Sequence, residues 1–451
     1  MQIISGAQET VLKILGAPRV SEKGYRLIRY AVDEVTEDGV LLFNLLTREL
    51  LLLSEAEFTF MTKNDVLREK WFLVPEDFDE MQSVDTVRWV LENTKKKSTH
   101  ITSYTILPSS DCNARCFYCF EKGQPRIHMT EAVARRTATY IAEHAGGQNV
   151  FLSWFGGEPL CNLPVIDYIS DALRKDGIVF SSRMTSNGYL FNDETIKKAK
   201  ENWNLKNVQI TLDGTEDVYN KTKAYIYREG SPYQKVLSNI EKLADAGILV
   251  IIRLNMDLYN AENLLELIDE LGSKFADRRE VIVYANHIFN TEIPLSQLHS
   301  HSEWKKRHAA MCRIENKLRK NNLSRRVGIA KKLKTNHCMA DCGHAVVIAP
   351  TGDISLREHY IFSEHIGSIY KPEFDLSRVE IWKIRPPKKP ECAECFYYPE
   401  CTMLQKCSVN NTCFPVKIEE NRMDTKGRML WEYRRFLEKK EPDDEEDTAF
   451  C

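Results

Sequence analysis

Ile101-Thr-Ser-Tyr-Thr-Ile-Leu107-Pro-Ser-Ser-Asp-Cys112-Asn-Ala-Arg-Cys116-Phe-Tyr-Cys119 is the stretch on which the reading of this chain turns. Ile101–Leu107 is an apolar run of strand length, and three cysteines follow it within a short polar segment. Downstream the strand signal recurs at Asn149–Trp154, Ile178–Met184, Val208–Leu212, Leu249–Asn255 and Val281–Ala285. Helical patterns fall between these runs, at Thr130–His144, Leu163–Lys175, Asp193–Lys200, Tyr233–Ala246 and Ala261–Leu271. Thr130 and Asn192 are natural helix caps, each followed by an acid, and Gly177 and Gly247 stand where helices end in the left-handed region. Six β–α steps in succession predict an α/β fold with a mostly parallel sheet and crossover helices. An open doubly wound sheet and a full or partial barrel both satisfy the pattern; in either, chemistry gathers at the strand C-terminal ends.

Upstream, the first hundred residues read as a small separate module. Tyr25–Val32 is a strand, Gly39–Leu46 and Glu49–Leu53 form a hairpin, and Glu55–Met61, Val66–Trp71 and Ser83–Glu92 are helical. The mixture suits a winged-helix-like domain over residues 1–95, ended by a polar linker through Lys95, Lys96 and Lys97. The α/β core then covers 100–300, and a charged helical linker covers 301–336. A cysteine-rich segment follows over 337–420, and a helix at Met429–Lys440 and the acidic run Glu441–Asp447 fill 421–451. The cysteine-rich segment has little periodicity, so its order must come partly from bound metal.

Composition sets outer limits. With 451 residues, 43% hydrophobic and 28% charged, the chain can build two or three ordinary cores. A formal charge of −3 gives no pull toward a nucleic-acid backbone. The basic run around Arg325–Lys334 reads, like Lys95–Lys97, as solvated charge. There is no secretory pattern and no apolar run of membrane-spanning length, so neither export nor a membrane is expected, and a cytoplasmic location follows. Thirteen cysteines in a reducing compartment are poor candidates for disulfides. They are clustered, three within Cys112–Cys119 and seven from Cys338 to Cys413, as metal sites require.

Three thiolates on so short a loop can wrap a compact iron–sulfur cluster and leave one iron open to a chelating molecule, as a catalytic zinc keeps an open position. A three-thiolate zinc site and plain buried thiols are the alternatives. Beyond the second strand, Gly156-Gly157-Glu158-Pro159 lets the backbone approach a ligand and offers an acceptor for an ammonium group. Ser186 and Asn187 after the third strand suit sugar hydroxyls, and Asp213 follows the fourth. Arg253 shares a face of the fifth strand with Asn255 and can pair with a carboxylate. A metal, an amine holder, a carboxylate holder and sugar contacts together describe a site for S-adenosylmethionine.

Cys112, Cys116 and Cys119 with Phe117-Tyr118, followed by Gly156–Pro159, resemble the radical S-adenosylmethionine superfamily over about Ile101–Asn286. The resemblance implies a partial (β/α)6 barrel. It implies a [4Fe-4S] cluster on those three cysteines, and a 5′-deoxyadenosyl radical that takes hydrogen from substrate inside an enclosure that keeps water out. It would set Tyr118 against adenine, Gly156–Pro159 at the methionine amine, Ser186 and Asn187 near the ribose, and Arg253 near the carboxylate. A reducing partner such as flavodoxin or ferredoxin is implied as well.

The second cysteine set resembles the twitch-and-SPASM extension of peptide-modifying radical enzymes, which holds auxiliary iron–sulfur clusters; structural zinc is the alternative. The opening pattern expects a cysteine where this chain has Arg357, and the closing pattern expects two glycines before a cysteine four residues beyond Cys401, where this chain runs Thr402-Met403-Leu404-Gln405-Lys406-Cys407. Glu358 or His359 could replace the missing ligand. Two clusters are expected, one on Cys392, Cys395, Cys401 and Cys413 and the other on Cys338, Cys342 and Cys407. Cys161, Cys312 and Cys451 read as inert thiols, and His287 and His337 as packing residues.

The whole chain resembles maturases of ribosomally made peptides, whose first domain holds the precursor's leader. That implies a leader added as a strand to a sheet edge near Val40–Asn44, and thioether or carbon–carbon cross-linking of the core peptide. Oxidation of a residue in a protein, as in sulfatase maturases, is the rival. A zinc-stabilised module without catalysis is the alternative of another class.

Overall fold

The structure, a computed structural model, describes residues 1–18, 20–94, 100–227, 230–288, 301–325, 328–371, 373–407, 413 and 415–438. Of the expected linker Asn93–Thr99, the first two residues end a helix and 95–99 lie outside the described residues, as do the acidic run at 441–447 and Cys451. The chain divides into two compact units, one of Met1–Lys97, Arg326–Asp341 and Ile381–Cys451, the other of Ser98–Arg325 and Cys342–Glu380.

In the first unit, β1 (Gln2–Ser5), β3 (Ala31–Thr36), β4 (Gly39–Asn44) and β5 (Leu50–Leu53) form an antiparallel sheet in the order β1-β5-β4-β3. β2 (Tyr25–Leu27) pairs with β6 (Leu73–Pro75). The expected strand over Tyr25–Val32 is thus two strands in two sheets, and β1 was not foreseen. The helices are α1 (Glu9–Leu15), α2 (Glu55–Thr59), α3 (Asp65–Glu69) and α4 (Glu80–Thr94). Ser54 starts α2 with a capping box, its hydroxyl accepting from the Glu57 N–H while the Glu57 carboxylate accepts from the Ser54 N–H.

This N-terminal part is not a body on its own. Val32, Leu41, Phe43 and Val87 share one core with Ile329, Leu333, Phe396, Tyr398, Met429 and Tyr433. Every residue of β4 is buried, which a sheet with one solvated face would not produce. The closing helix, Pro415–Glu438, supplies Met429 and Tyr433 to that core and ties down β3 through Lys426 and Glu34 at 2.9 Å. Apolar periodicity reports a buried face, and not what covers it.

In the second unit all six expected strands are present: β7 (Ser103–Ser109), β8 (Val150–Gly156), β9 (Phe180–Ser186), β10 (Leu205–Leu212), β11 (Leu249–Met256) and β12 (Val281–His287). The expected crossover helices are α5 (Glu131–His144), α6 (Leu163–Lys175), α7 (Asp193–Glu201), α9 (Pro232–Asp245) and α10 (Ala261–Phe275). Between β10 and α9 a further helix, α8 (Glu216–Lys223), was not anticipated. Thr130 and Asn192 cap as expected, accepting from the N–H groups of Val133 and Thr195. The long helix after the core runs His301–Lys320.

Strand order decides between the two windings left open by the sequence. The six run in parallel and in sequence, β7 to β12, with no reversal and so no switch point of the doubly wound kind. The other edge of β7 is taken by β13 (Ala345–Ile348), parallel to it, and β14 (Asp353–Ser355) and β15 (Gly367–Ser368) continue the sheet antiparallel. With that edge occupied, β12 does not pair with β7 among the described residues, and the array is one open, mixed nine-stranded sheet.

One face of this sheet is polar. In β9, β10 and β11 fully buried residues alternate with half-buried ones, so Arg183, Gln209, Thr211 and Arg253 line the face away from Val208, Ile210, Val250 and Ile252. The Arg183 Nε donates to Ser153 Oγ at 3.0 Å, and the Tyr284 hydroxyl donates to Gln209 Oε1 at 2.9 Å. Among the described residues, no helix is long and apolar enough to cross a membrane.

Candidate active site

The cysteine loop leaves β7 through an irregularity. Pairing of β7 with β8 slips between Ile106 and Ser109, around Pro108, which has no N–H to give. The next residues are held tightly to the end of β8. Gly157 N–H donates to Ser109 O at 3.1 Å, Glu158 N–H to Asp111 O at 2.9 Å, and Cys112 N–H to Asp111 Oδ1 at 2.8 Å.

The glycine pair serves this approach. Gly156 has φ of +112°, and a Cβ on Gly157 would lie 2.4 Å from Asp111 O and 2.7 Å from Ser110 O. Both obstacles are backbone, so they cannot swing aside. Gly157→Ala is therefore expected to cost about 1–3 kcal/mol or more and to push the base of the cysteine loop off β8. A lower melting temperature together with poorer iron uptake would be the signature; a variant that melts and loads like the parent chain contradicts the account.

Glu158 is fully buried. Its carboxylate accepts from the Leu160 N–H (3.2 Å), the Ser186 hydroxyl (2.9 and 3.1 Å) and the Asn187 N–H (2.8 Å). It thus locks the end of β8 to the end of β9. Asn187 Nδ2 in turn donates to Asn113 Oδ1 at 2.6 Å and lies 3.7 Å from Cys112 Sγ. Cys112, Gly157, Glu158, Ser186 and Asn187 are in this way brought together.

Burial pushes the Glu158 carboxyl up to about 7, against the pull of the hydrogen bonds from Asn187, Leu160 and Ser186. Since the folded value lies above the ordinary 4.5, the folded state holds the extra proton between the two. Its contribution to stability is complete at low pH and falls as pH rises from about 4.5 to about 7. Relative to the parent chain, Glu158→Gln should gain about 3 kcal/mol across that window. Denaturant unfolding of cluster-free protein at several pH values checks the slope, and parallel profiles for the two chains would contradict it.

On the other side of the loop stands a buried triad. The Tyr118 hydroxyl donates to Asp213 Oδ1 at 2.8 Å, and Lys223 Nζ reaches the Tyr118 hydroxyl and Asp213 Oδ2, each at 3.1 Å. Burial works to lower the Lys223 ammonium, but Asp213 and then Tyr118 outweigh it and hold the group charged, well above its ordinary value. Lys223 also acts through its backbone: its carbonyl accepts from Arg115 N–H at 2.8 Å, with Cys116 Sγ 4.0 Å away. Sequence reasoning missed Lys223. Tyr219, four residues earlier on α8, is buried on the same face, and that spacing was the available signal.

Arg253 sits in register with Thr211 of β10 and Tyr284 of β12. Its Nε and the Asn113 Nδ2 are buried and have no hydrogen-bond partner among the described residues. Burial raises the Cys112 thiol to about 12, with Glu158 adding to it, and burial raises Cys119 as well. Phe120 stacks on His359 at 4.3 Å, which brings the segment after the anomalous Arg357 against the residue that follows Cys119. Glu358 lies 3.8 Å from Arg357 Nε. Asp213 is held by Tyr118 and Lys223. Cys161 is half-buried, its thiol raised to about 12 by burial and then by Glu158, and Cys312 Sγ is 3.4 Å from His308 Nε2.

In the first unit, Cys392, Cys401 and Cys413 line one cavity of about 230 Å³. The Cys395 thiol is raised first by burial and next by the charges of Cys413, Cys401 and Cys392, so all four thiols of the expected set are neighbours. Cys407 is buried, with Sγ 3.9 Å from His337 Nε2, and Cys338 Sγ accepts from the Ala340 N–H at 3.4 Å. Cys342 falls in the second unit. Among the described residues, no group of three or more His, Cys, Asp or Glu side chains is set to hold a metal ion.

Residues 106–271 match the Radical SAM superfamily. Over 169 residues the chain is 30% identical to a cysteine-type anaerobic sulfatase-maturating enzyme of Clostridium novyi (strain NT), a match that covers 33% of this chain and 42% of that protein. Over 163 residues it is 31% identical to a GTP 3′,8-cyclase of Clostridium perfringens (strain SM101 / Type A), covering 35% and 48%. The chain thus spans less than half the length of these relatives. Among solved structures, native anSMEcpe with bound AdoMet and Kp18Cys peptide superposes with a TM-score of 0.57 at 17% identity, over 75% of this chain and 98% of that one. Streptococcus suis SuiB bound to precursor peptide SuiA gives 0.50 at 13% identity, over 87% and 99%. At such identities the likeness is one of fold.

Proposed function

We propose, from the match of residues 106–271 to the Radical SAM superfamily and the likeness to sulfatase-maturating enzymes, that the chain oxidises a residue of a peptide or protein substrate. The observation that carries the reading is the meeting of four strand ends. The loop after β7, Glu158 after β8, Asn187 after β9 and Asp213 after β10 form one connected hydrogen-bonded set around Cys112, Cys116 and Cys119.

Cys112, Cys116 and Cys119 would hold a [4Fe-4S] cluster, which three thiols on one half-buried loop suit by donor chemistry. When reduced, such a cluster supplies the electron that cleaves S-adenosylmethionine to a hydrogen-abstracting radical. Around it this chain's residues orient and exclude. The orphaned donors Asn113 Nδ2 and Arg253 Nε are available to acceptors on a bound molecule, Arg253 to a carboxylate. Gly156–Pro159 would receive the methionine amine, Ser186 and Asn187 would lie near the ribose, and Tyr118, fixed by Asp213 and Lys223, would face the adenine. The polar face carrying Arg183, Gln209 and Tyr284 would line the substrate chamber. Cys392, Cys395, Cys401 and Cys413 would hold an auxiliary cluster, with Cys338, Cys342 and Cys407 assigned to another. Electrons would come from a flavodoxin or ferredoxin.

Cross-linking of a ribosomally made peptide is the second reading. The small antiparallel sheet and helices at the start of the first unit favour it, as a winged-helix-like holder for a leader, as does the fold likeness to SuiB. The zinc-stabilised, non-catalytic reading is dropped, because the matched family is one of enzymes.

The test is anaerobic reconstitution with iron and sulfide, reduction, and addition of S-adenosylmethionine with a cysteine- or serine-containing peptide. Formation of 5′-deoxyadenosine together with an aldehyde trapped by a hydrazide probe supports residue oxidation. Loss of two hydrogens with no trappable aldehyde, and fragments that remain joined, supports the cross-link. Colourless, zinc-loaded protein that makes no 5′-deoxyadenosine overturns both.

A further inference from the structure

The cavity lined by Cys392, Cys401 and Cys413 has a wall from the N-terminal part of the chain. α4 contributes Arg88, which is 6% exposed and lines the same cavity. Its Nη2 donates to the carbonyls of Tyr398 (2.6 Å), Pro399 (2.7 Å) and Cys401 (2.8 Å), so one guanidinium end holds the backbone leading into a thiol. The guanidinium carbon lies 5.2 Å from the centre of the Tyr398 ring. Arg385 Nη1 donates to the same Cys401 carbonyl at 2.9 Å. Yet Arg88 Nε is buried and has no hydrogen-bond partner among the described residues. A buried N–H of a charged group is costly to leave unmade. The residue that carries it lines the same cavity as Cys392, Cys401 and Cys413.

We propose that Arg88 is a positioning residue for the auxiliary cluster held by Cys392, Cys395, Cys401 and Cys413. It fixes the Cys401 loop through Nη2, offers Nε–H to a cluster or thiolate sulfur, and thereby sets the cluster's reduction potential. The inference rests on the auxiliary-cluster reading above. Its physical basis is general: a positive charge and an N–H donor beside an iron–sulfur cluster favour the more negative, reduced form and raise the potential. The helix that supplies Arg88 belongs to the part of the chain read as the leader holder, so the residue would also join that part to the redox centre.

The experiment uses the full chain carrying Cys112→Ala, Cys116→Ala and Cys119→Ala, so that remaining iron reports on the cysteine-rich segment. The signal is assigned to this cluster by its loss on further Cys395→Ala substitution, and is followed by magnetic resonance through a redox titration. Arg88→Gln should lower the midpoint so that reduction at a fixed potential drops tenfold or more, about 59 mV for one electron. Arg88→Lys keeps the charge but not the planar fork, and should lower it by less. Unchanged midpoints in both variants, with iron and sulfide as in the parent, overturn the inference. If Arg88→Gln does not load, Arg88→Lys decides alone: a lowered midpoint supports the role and an unchanged one removes it. A parent that takes up no iron removes the auxiliary-cluster reading itself, and the inference with it.

Discussion

Cys116→Ala is expected to reduce 5′-deoxyadenosine formation to the level of a mixture without enzyme. Cys116 is the middle of three thiols in one short loop, and the loop is fastened on both sides, by Gly157 and Glu158 at its base and by the Lys223 carbonyl at Arg115. A held loop cannot slide a neighbouring cysteine into the vacated place. Cys161 is half-buried near Glu158, but it belongs to the turn after β8, and Cys161→Ala should keep cofactor cleavage. The measurement is 5′-deoxyadenosine after anaerobic reduction, with iron determined on the same samples. Retained product in Cys116→Ala would remove the assignment of that loop.

Lys223→Met should destabilise the second unit by about 3–5 kcal/mol, the range for breaking a buried ion pair by removal of one partner. The reason lies less in the lost attraction than in what is left behind. Asp213 is fully buried, and its carboxylate would retain the Tyr118 hydroxyl alone as a side-chain partner among the contacts described above. Asp213→Asn combined with Lys223→Met removes both charges and should recover a large part of the loss. Denaturant midpoints of the two single variants and the double variant complete the cycle. Equal and additive losses would show that the pair does not act as a unit.

These expectations mark where sequence stops being informative. The six strands of the second unit were legible because each is an apolar run of ordinary length between turn residues. The ends were misplaced by one to three residues where Pro108 and polar tips such as Thr185 and Ser186 continue the ladder. β13 was not legible. Ala345-Val-Val-Ile348 is four residues long, and its partner, β7, lies some 240 residues earlier, so no local pattern could pair them. α8 is short and mostly charged, and with it Lys223 was lost, since an isolated lysine reads as solvated. The site shows the same divide. Cysteine spacing and the glycine–acid turn were visible as motifs. That the turn's glycines admit the backbone of Ser110 and Asp111, and that Glu158 grips Ser186 and Asn187, depends on neighbours brought in by the sheet.

The first unit shares one core between its opening strands and the helix Pro415–Glu438, and this bears on how the protein is made. On the ribosome the opening segment emerges first, but Met429 and Tyr433, which complete its apolar interior, emerge several hundred residues later. The nascent chain therefore carries an unfinished oily surface throughout synthesis of the catalytic unit. A chaperone that shields that surface should raise the yield of full-length protein, and messages truncated before the last helix should yield aggregates.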